Sequence, residues 1–251
     1  MTVLTVAFPG LCENRIPRRK EFPMPTELIV VLDMDTREEA LAAVEACGAC
    51  EWFKIGAQLF TRCGPDIVRA VQQLGKRVFL DLKYHDIPNT VAHAAKAAAD
   101  LGAGLMTLHA SGGRAMIQAA RKSVEGSGTR ILAVTVLTSI SDAVLRAEVG
   151  IPESAEEAVR RLAVQAIESG AHGVVCSPRE IPILREALGD GPLIVTPGVR
   201  PDWASKDDQE RVMTPREAAQ AGASMVVVGR PILKHPNPAE AAAKIMEELS
   251  V

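Results

Sequence analysis

Val78-Phe79-Leu80-Asp81-Leu82-Lys83-Tyr84-His85-Asp86-Ile87-Pro88-Asn89-Thr90 carries the end of one apolar run and the start of the segment that follows it. Val78 to Leu82 reads as a buried strand, and Asn89 to Leu101 reads as a helix. Asp81 and Lys83 stand two positions apart, so a pleated strand puts both side chains on one face, roughly 6.6 Å apart along it. Charge on the inward face of a strand is costly unless it is paired. Asp86, where the strand gives way to a loop, is a second carboxylate that brackets Lys83 and favours its ammonium form. Such an ammonium is either an acid or a fixed positive charge aimed at a developing negative one. A structural salt bridge, with Asp86 capping the next helix, explains the three charges alone equally well.

Outward from this unit the same rhythm repeats. Apolar, β-branched runs at Leu28 to Met34, Trp52 to Ile55, Val78 to Leu82, Leu105 to Leu108, Ile131 to Leu137, Gly173 to Cys176, Leu193 to Thr196 and Met225 to Val228 are candidate strands. Helical segments lie between and after them: Thr36 to Cys47, Pro65 to Leu74, Asn89 to Leu101, Arg114 to Val124, Ser154 to Ser169, Arg179 to Leu188, Thr214 to Ala221 and Pro238 to Leu249. Thr36 with Glu39, Ser154 with Glu157 and Thr214 with Glu217 have capping-box spacing, and Gly75, Gly102, Gly170 and Gly222 stand where helices stop. Eight strands alternating with eight helices, with no compositional break, is the pattern of an α/β protein of the (β/α)8, or TIM, barrel type spanning residues 26 to 251. A doubly wound open sheet is the alternative. Residues 1 to 25 hold four prolines and no sustained period, and read as a poorly ordered extension, with Met24 as a second possible start.

In such barrels chemistry sits at the C-terminal ends of the strands. Those ends carry, in order, Asp33, Lys54, Asp81 with Lys83, His109, Thr138, Ser177, Arg200 and Gly229-Arg230. Several have plain readings: Asp33 precedes a helix cap, Lys54 is a rim charge, and His109 is taken as a hydrogen-bonded structural histidine. Thr196-Pro197-Gly198-Val199-Arg200 and Val228-Gly229-Arg230-Pro231 follow strands seven and eight, the usual phosphate grip of this architecture. Glycine lets backbone approach an anion, and arginine forks onto phosphate oxygens. The polar loop between Arg200 and Thr214, with Lys206, Asp207, Asp208, Gln209 and Arg211, is long enough to be a lid.

Composition narrows the partners. A net charge of −3, from 28 basic and 31 acidic residues, with no basic run longer than Arg18-Arg19-Lys20, argues against nucleic-acid binding. No apolar run of about 18 residues is present, which argues against a membrane span. Five cysteines in a chain able to hold a core without disulfides point to a reducing, cytoplasmic setting. Cys47-Gly48-Ala49-Cys50 has no second pair to complete a zinc site and lies at a helix end, so it is read as coincidence.

Asp81 to Thr90, DLKYHDIPNT, resembles the D-x-K-x-x-D-I signature of the orotidine 5′-phosphate decarboxylase family. So do VLDMD with Asp33, FKIG with Lys54, VLTS with Thr138, TPGVR with Arg200, DDQ with Gln209 and VVVGR with Gly229 and Arg230, in order from about residue 28 to 235. The resemblance implies decarboxylation of orotidine 5′-monophosphate to UMP in pyrimidine biosynthesis, without metal or cofactor. It implies that Lys83 is the catalytic lysine, held with Asp81 and Lys54 in one charged network. Asp86, with Ile87 and Thr90, would come from the other subunit of a homodimer. Asp33 and Lys54 would reach the ribose, Thr138 the pyrimidine, and Arg200, Gln209, Gly229 and Arg230 the phosphate. The extension before residue 26 departs from the family's compact start.

Two rivals remain at this level. A metal-dependent sugar-phosphate decarboxylase or aldolase uses a similar D-x-K-x-x-D strand to hold Mg2+. A catalytically silent phosphate-binding barrel would keep Arg230 and the glycines but would have no need of an inward Asp81 and Lys83.

Overall fold

The computed structural model describes residues 25–204 and 213–250. Eight strands, β1 (Glu27–Leu32), β2 (Trp52–Gly56), β3 (Arg77–Tyr84), β4 (Leu105–His109), β5 (Arg130–Val134), β6 (Gly173–Val175), β7 (Leu193–Pro197) and β8 (Met225–Val228), pair in chain order. β8 returns to β1 in parallel, Glu27 opposite Met225, and closes the barrel. Parallel neighbours need a crossover, and helices supply it. These are α1 (Arg37–Ala46), α2 (Ala57–Cys63), α3 (Asp66–Gln73), α4 (Pro88–Asp100), α5 (Gly113–Ser123), α6 (Asp142–Ala147), α7 (Ala155–Glu168), α8 (Ile181–Leu188), α9 (Pro215–Gln220), α10 (Arg230–Leu233) and α11 (Pro238–Leu249). The closed barrel is therefore the architecture, and the open sheet is excluded.

Three of these helices, α2, α6 and α10, are absent from the sequence reading. None exceeds seven residues, too short for a 3.6-residue period to show. β5 also ends earlier than expected, at Val134 rather than Leu137. There Thr135 turns both its N–H and its hydroxyl onto the Val175 carbonyl, at 3.3 and 3.0 Å, and the chain leaves the sheet. Helix starts follow the capping signals more closely. Ser154 and Thr214 make full capping boxes with Glu157 and Glu217, whereas Thr36 accepts the Glu39 N–H without the reciprocal bond. Gly170 (φ 97°) and Gly222 (φ 99°) take the left-handed turn that ends α7 and α9, a conformation that costs a residue with a Cβ far more.

Alternation along each strand divides the core in two. Ile29, Val31, Trp52, Phe79, Leu105, Leu132, Val195, Met225 and Val227 pack together inside the barrel. Their neighbours Val30, Leu32, Phe53, Ile55, Val78, Leu80, Met106 and Leu108 pack outward beneath the helices. Burying one such side chain contributes about 1.5–3 kcal/mol, so an aliphatic chain with few aromatics fills both layers by number. The inward series continue as Ile29-Val31-Asp33, Trp52-Lys54-Gly56, Phe79-Asp81 and Leu105-Thr107-His109. Each begins apolar and turns polar toward the C-terminal rim, which is how the fold brings its charges to one end.

Candidate active site

At that rim four charges stand in an alternating row. Asp33 Oδ1 lies 3.3 Å from Lys54 Nζ, Lys54 Nζ lies 3.4 Å from Asp81 Oδ2, and the same Asp81 oxygen lies 2.8 Å from Lys83 Nζ. Strand register aligns them, with Val31 opposite Lys54 and Gly56 opposite Asp81. Burial alone would raise the Asp81 pKa, but Lys54 and Lys83 outweigh it, together with hydrogen bonds from Lys83 and the Thr107 hydroxyl, and the net shift is downward. The two lysines differ in access. Lys83 keeps 38 % of its side-chain surface open and Lys54 only 12 %, so Lys83 is the ammonium that a bound molecule can reach.

Lys83 reaches Asp81 by a route other than the regular pleat. Its φ is 51°, the left-handed region, and it is the sole non-glycine residue there among the described residues. β3 and β4 pair at Leu80 with Met106 and resume at Tyr84 with Leu108, so β3 advances four residues while β4 advances two. Irregularities of this kind re-aim a side chain, often beside active sites. The expected pairing is present, on a backbone that is not a regular strand.

Asp86 does not bracket Lys83 within the chain. It is exposed, and its Oδ1 accepts the Ile87 N–H at 2.6 Å. A carboxylate at the head of α4 has nearby backbone N–H groups to accept, and this one takes that local bond. Ile87, 66 % exposed, and Thr90 are exposed as well. Thr138 is exposed on the turn after β5. Arg200, after β7, is buried, its Nη1 donating to the Val199 carbonyl at 2.9 Å. Met213 bridges back to Val199 and so closes the base of the loop after Arg200. Gly229 and Arg230 follow β8, where Arg230 lines a cavity of about 180 Å3 with Trp203, Lys234 and His235. A Cβ on Gly229 would come within 3.1 Å of Val31. Gln209 and most of the expected lid lie outside the described residues.

The His109 ring packs against that of His85, tilted by 38° with centroids 5.3 Å apart, and burial, His85 and Lys83 lower its pKa. A larger cavity, about 430 Å3, opens between the outer helices α5 and α7 and holds none of the strand-end residues.

The sequence matches the family model described as "Orotidine 5'-phosphate decarboxylase / HUMPS family" over residues 26–245. The chain belongs to this family. A relative named orotidine 5′-phosphate decarboxylase from Heliobacterium modesticaldum is 52 % identical over 231 residues, covering 89 % of this chain and 95 % of its own. Another of the same name, from Opitutus terrae, is 50 % identical over 229 residues, with 90 % and 99 % covered. Among solved structures, orotidine 5′-phosphate decarboxylase from Lactobacillus acidophilus superposes with a TM-score of 0.81 at 41 % identity, over 90 % of this chain and all of that one.

Two residues of this orotidine 5′-phosphate decarboxylase / HUMPS barrel escaped the sequence reading. Gly56 faces the charged row so closely that a Cβ there would lie 2.7 Å from Lys54 Nζ and 3.1 Å from Asp33 Oδ1. Thr107 is fully buried and bonded to both Asp81 and Lys83. The one available signal for Thr107 was a polar residue inside the otherwise apolar strand Leu105 to Leu108. Both C-x-x-C thiols, Cys47 and Cys50, are free and buried, and burial raises both pKa values, that of Cys50 to about 11. Among the described residues no group of three or more His, Cys, Asp or Glu side chains is placed to hold a metal ion. No described helix is long and apolar enough to cross a membrane.

Proposed function

We propose that this chain decarboxylates orotidine 5′-monophosphate to UMP, the decarboxylation that supplies UMP in pyrimidine biosynthesis, using its own side chains rather than a metal or organic cofactor. The observation that carries the reading is the accessible Lys83 ammonium, 2.8 Å from the buried Asp81 carboxylate, at one end of a row of alternating charge. Breaking the bond from C6 to the carboxylate releases CO2 and leaves the electron pair on C6, in the ring plane, where the pyrimidine π system cannot take it up. A fixed positive charge stabilises that pair in place of an electron sink. Lys83 then transfers its proton to C6, becomes neutral, and is reprotonated from water.

Asp81 has two roles in this account. Its carboxylate holds the ammonium in place, and its charge opposes the substrate carboxylate that is about to leave. Lys54 offsets the rest of the Asp81 charge and, with Asp33, is positioned for ribose hydroxyls. Arg200, Gly229 and Arg230, with Gln209, form the phosphate end, whose binding energy aligns the ring. Thr138 faces the pyrimidine. A homodimer supplies Asp86, Ile87 and Thr90 across its interface, a reading supported by the exposure of all three. The free buried thiols suit a reducing cytoplasm.

The test is to offer orotidine 5′-monophosphate to the purified chain in chelator-treated buffer and follow UMP. Turnover unaffected by the chelator is expected. No UMP rejects the activity, and turnover that the chelator abolishes favours the metal-dependent sugar-phosphate rival.

A further inference from the structure

We propose that Thr107 is a positioning residue for this reaction: a single hydroxyl ties the Asp81 carboxylate to the Lys83 backbone and so fixes the aim of the reactive ammonium. The inference rests on the function proposed above and adds to it a residue that never touches substrate.

The bonding leaves no second arrangement. Thr107 Oγ1 lies 2.9 Å from Asp81 Oδ1 and 2.9 Å from Lys83 N. A carboxylate only accepts and a backbone N–H only donates, so the hydroxyl gives its one proton to Asp81 and accepts from Lys83. Thr107 is fully buried, and its branched Cβ restricts the side chain to few rotamers. The hydroxyl is therefore part of a rigid wall, not a mobile surface group.

Its place in the sheet supplies the second reason. Between the pairs Leu80–Met106 and Tyr84–Leu108, Thr107 is the one β4 residue opposite the whole β3 excursion that contains Lys83. Lys83 holds a φ of 51°, a conformation that persists in a non-glycine residue where surroundings over-determine it. One such determinant is the Thr107 bond to the Lys83 N–H. The other end of the same hydroxyl stops the Asp81 carboxylate from rotating, while Asp81 Oδ2 receives Lys83 Nζ at 2.8 Å. Backbone and side chain of Lys83 are thus both referred to one oxygen on the neighbouring strand.

The experiment compares the full-length wild type with Thr107→Val, which keeps the shape and loses the hydroxyl, and Thr107→Ser, which keeps the hydroxyl. With orotidine 5′-monophosphate, Thr107→Val is expected to lower kcat roughly 10- to 100-fold, as small misplacements of a reacting group do, with KM changed less than about threefold. The acid limb of its pH profile moves to higher pH, because Asp81 loses one of the hydrogen bonds that keep it ionised. Thr107→Ser is expected to recover kcat to within about threefold of wild type. An unchanged kcat in Thr107→Val, or equal losses in the two variants, overturns the proposal. If Thr107→Val does not fold, Thr107→Ala replaces it with the same expectations. If the wild type itself makes no UMP, the proposed activity has failed, and a crystal structure of the hydroxyl-free variant decides the geometric claim. Lys83 leaving the left-handed region, or Asp81 rotating, upholds the claim, and an undisturbed pair refutes it.

Discussion

Asp81 Oδ2 lies 2.8 Å from Lys83 Nζ although only Leu82 separates the two residues and Lys83 has left the strand conformation. A regular pleat would also have put them on one face, but with nothing to turn the lysine back along the chain. The left-handed turn spends backbone strain to point the amine at its partner while leaving it open to a bound molecule. Lys83→Ala removes both the fixed charge and the proton. The expected result is a kcat lower by ~10^4-fold or more, with UMP affinity within about tenfold of wild type. Steady-state kinetics and calorimetric titration with UMP check the two halves, and ordinary turnover by this variant would remove Lys83 from the mechanism.

Asp86 gives a prediction about assembly. In one chain its carboxylate is occupied with the Ile87 N–H and faces outward, where a second copy would meet it. Lys83→Ala and Asp86→Ala are each expected to be inactive as separate preparations. Mixed and allowed to exchange subunits, they form heterodimers in which one site has both native residues and the other has neither. A two-fold symmetric pair with random exchange then recovers about a quarter of wild-type activity. Confirmed heterodimers with no recovery would show that each chain works alone.

The charged row was legible in the sequence because an inward carboxylate or ammonium stands out against Val, Ile and Leu at a strand end. Asp81 and Lys83 stand out this way, while Asp33 and Lys54 gained a role only from the family resemblance, and the structure places each of the four within 3.4 Å of the next. The turn at Lys83 was not legible, since a period-two reading predicts the same neighbour on a different backbone. Thr107 and Gly56 were hidden for opposite reasons. A lone hydroxyl in an apolar strand carries little signal, and Gly56 acts through an atom it lacks. Asp86 shows a third limit: the helix cap expected of it does not form, since α4 starts after Ile87 with no side-chain cap, and nothing in one chain distinguishes a carboxylate bonded to its neighbouring N–H from one offered to a partner.

Gly56 and Gly173 make a matched pair that separates site from scaffold. A Cβ at Gly56 meets the far end of the Lys54 side chain at 2.7 Å, and Gly56 has φ −91°, which alanine adopts freely. Gly56→Ala therefore pushes Lys54 aside at a stability change of under about 1 kcal/mol, while kcat/KM falls at least about tenfold. At Gly173 the added Cβ would lie 2.3 Å from the Leu193 carbonyl oxygen, in the backbone of the next strand, which cannot step aside. Gly173→Ala is expected to cost about 3 kcal/mol by overpacking. Urea unfolding and initial rates on both variants check the contrast, and a Gly56→Ala enzyme with wild-type kcat/KM would show that the position of Lys54 is immaterial.

His172 makes stability depend on pH at a point remote from the charged row. Its Nδ1 accepts the Ile131 N–H at 2.9 Å, joining the start of β5 to the residue before β6, which requires that nitrogen unprotonated. Burial, with Arg121 and Arg130 nearby, lowers its pKa. Between the lowered folded value and the unfolded value of about 6.5, the unfolded chain binds more protons, so stability rises with pH through that window. Acidification below about 6.5 therefore weakens the fold until the folded value is passed, after which this contribution is flat. His109 is shifted in the same direction by burial, His85 and Lys83, so His172 accounts for only part of the slope. In His172→Asn the side-chain oxygen can accept the same N–H without titrating. The urea midpoint of that variant is expected to fall less between pH 7 and pH 5 than that of the wild type, and parallel curves for the two proteins would show that His172 keeps its ordinary pKa on folding.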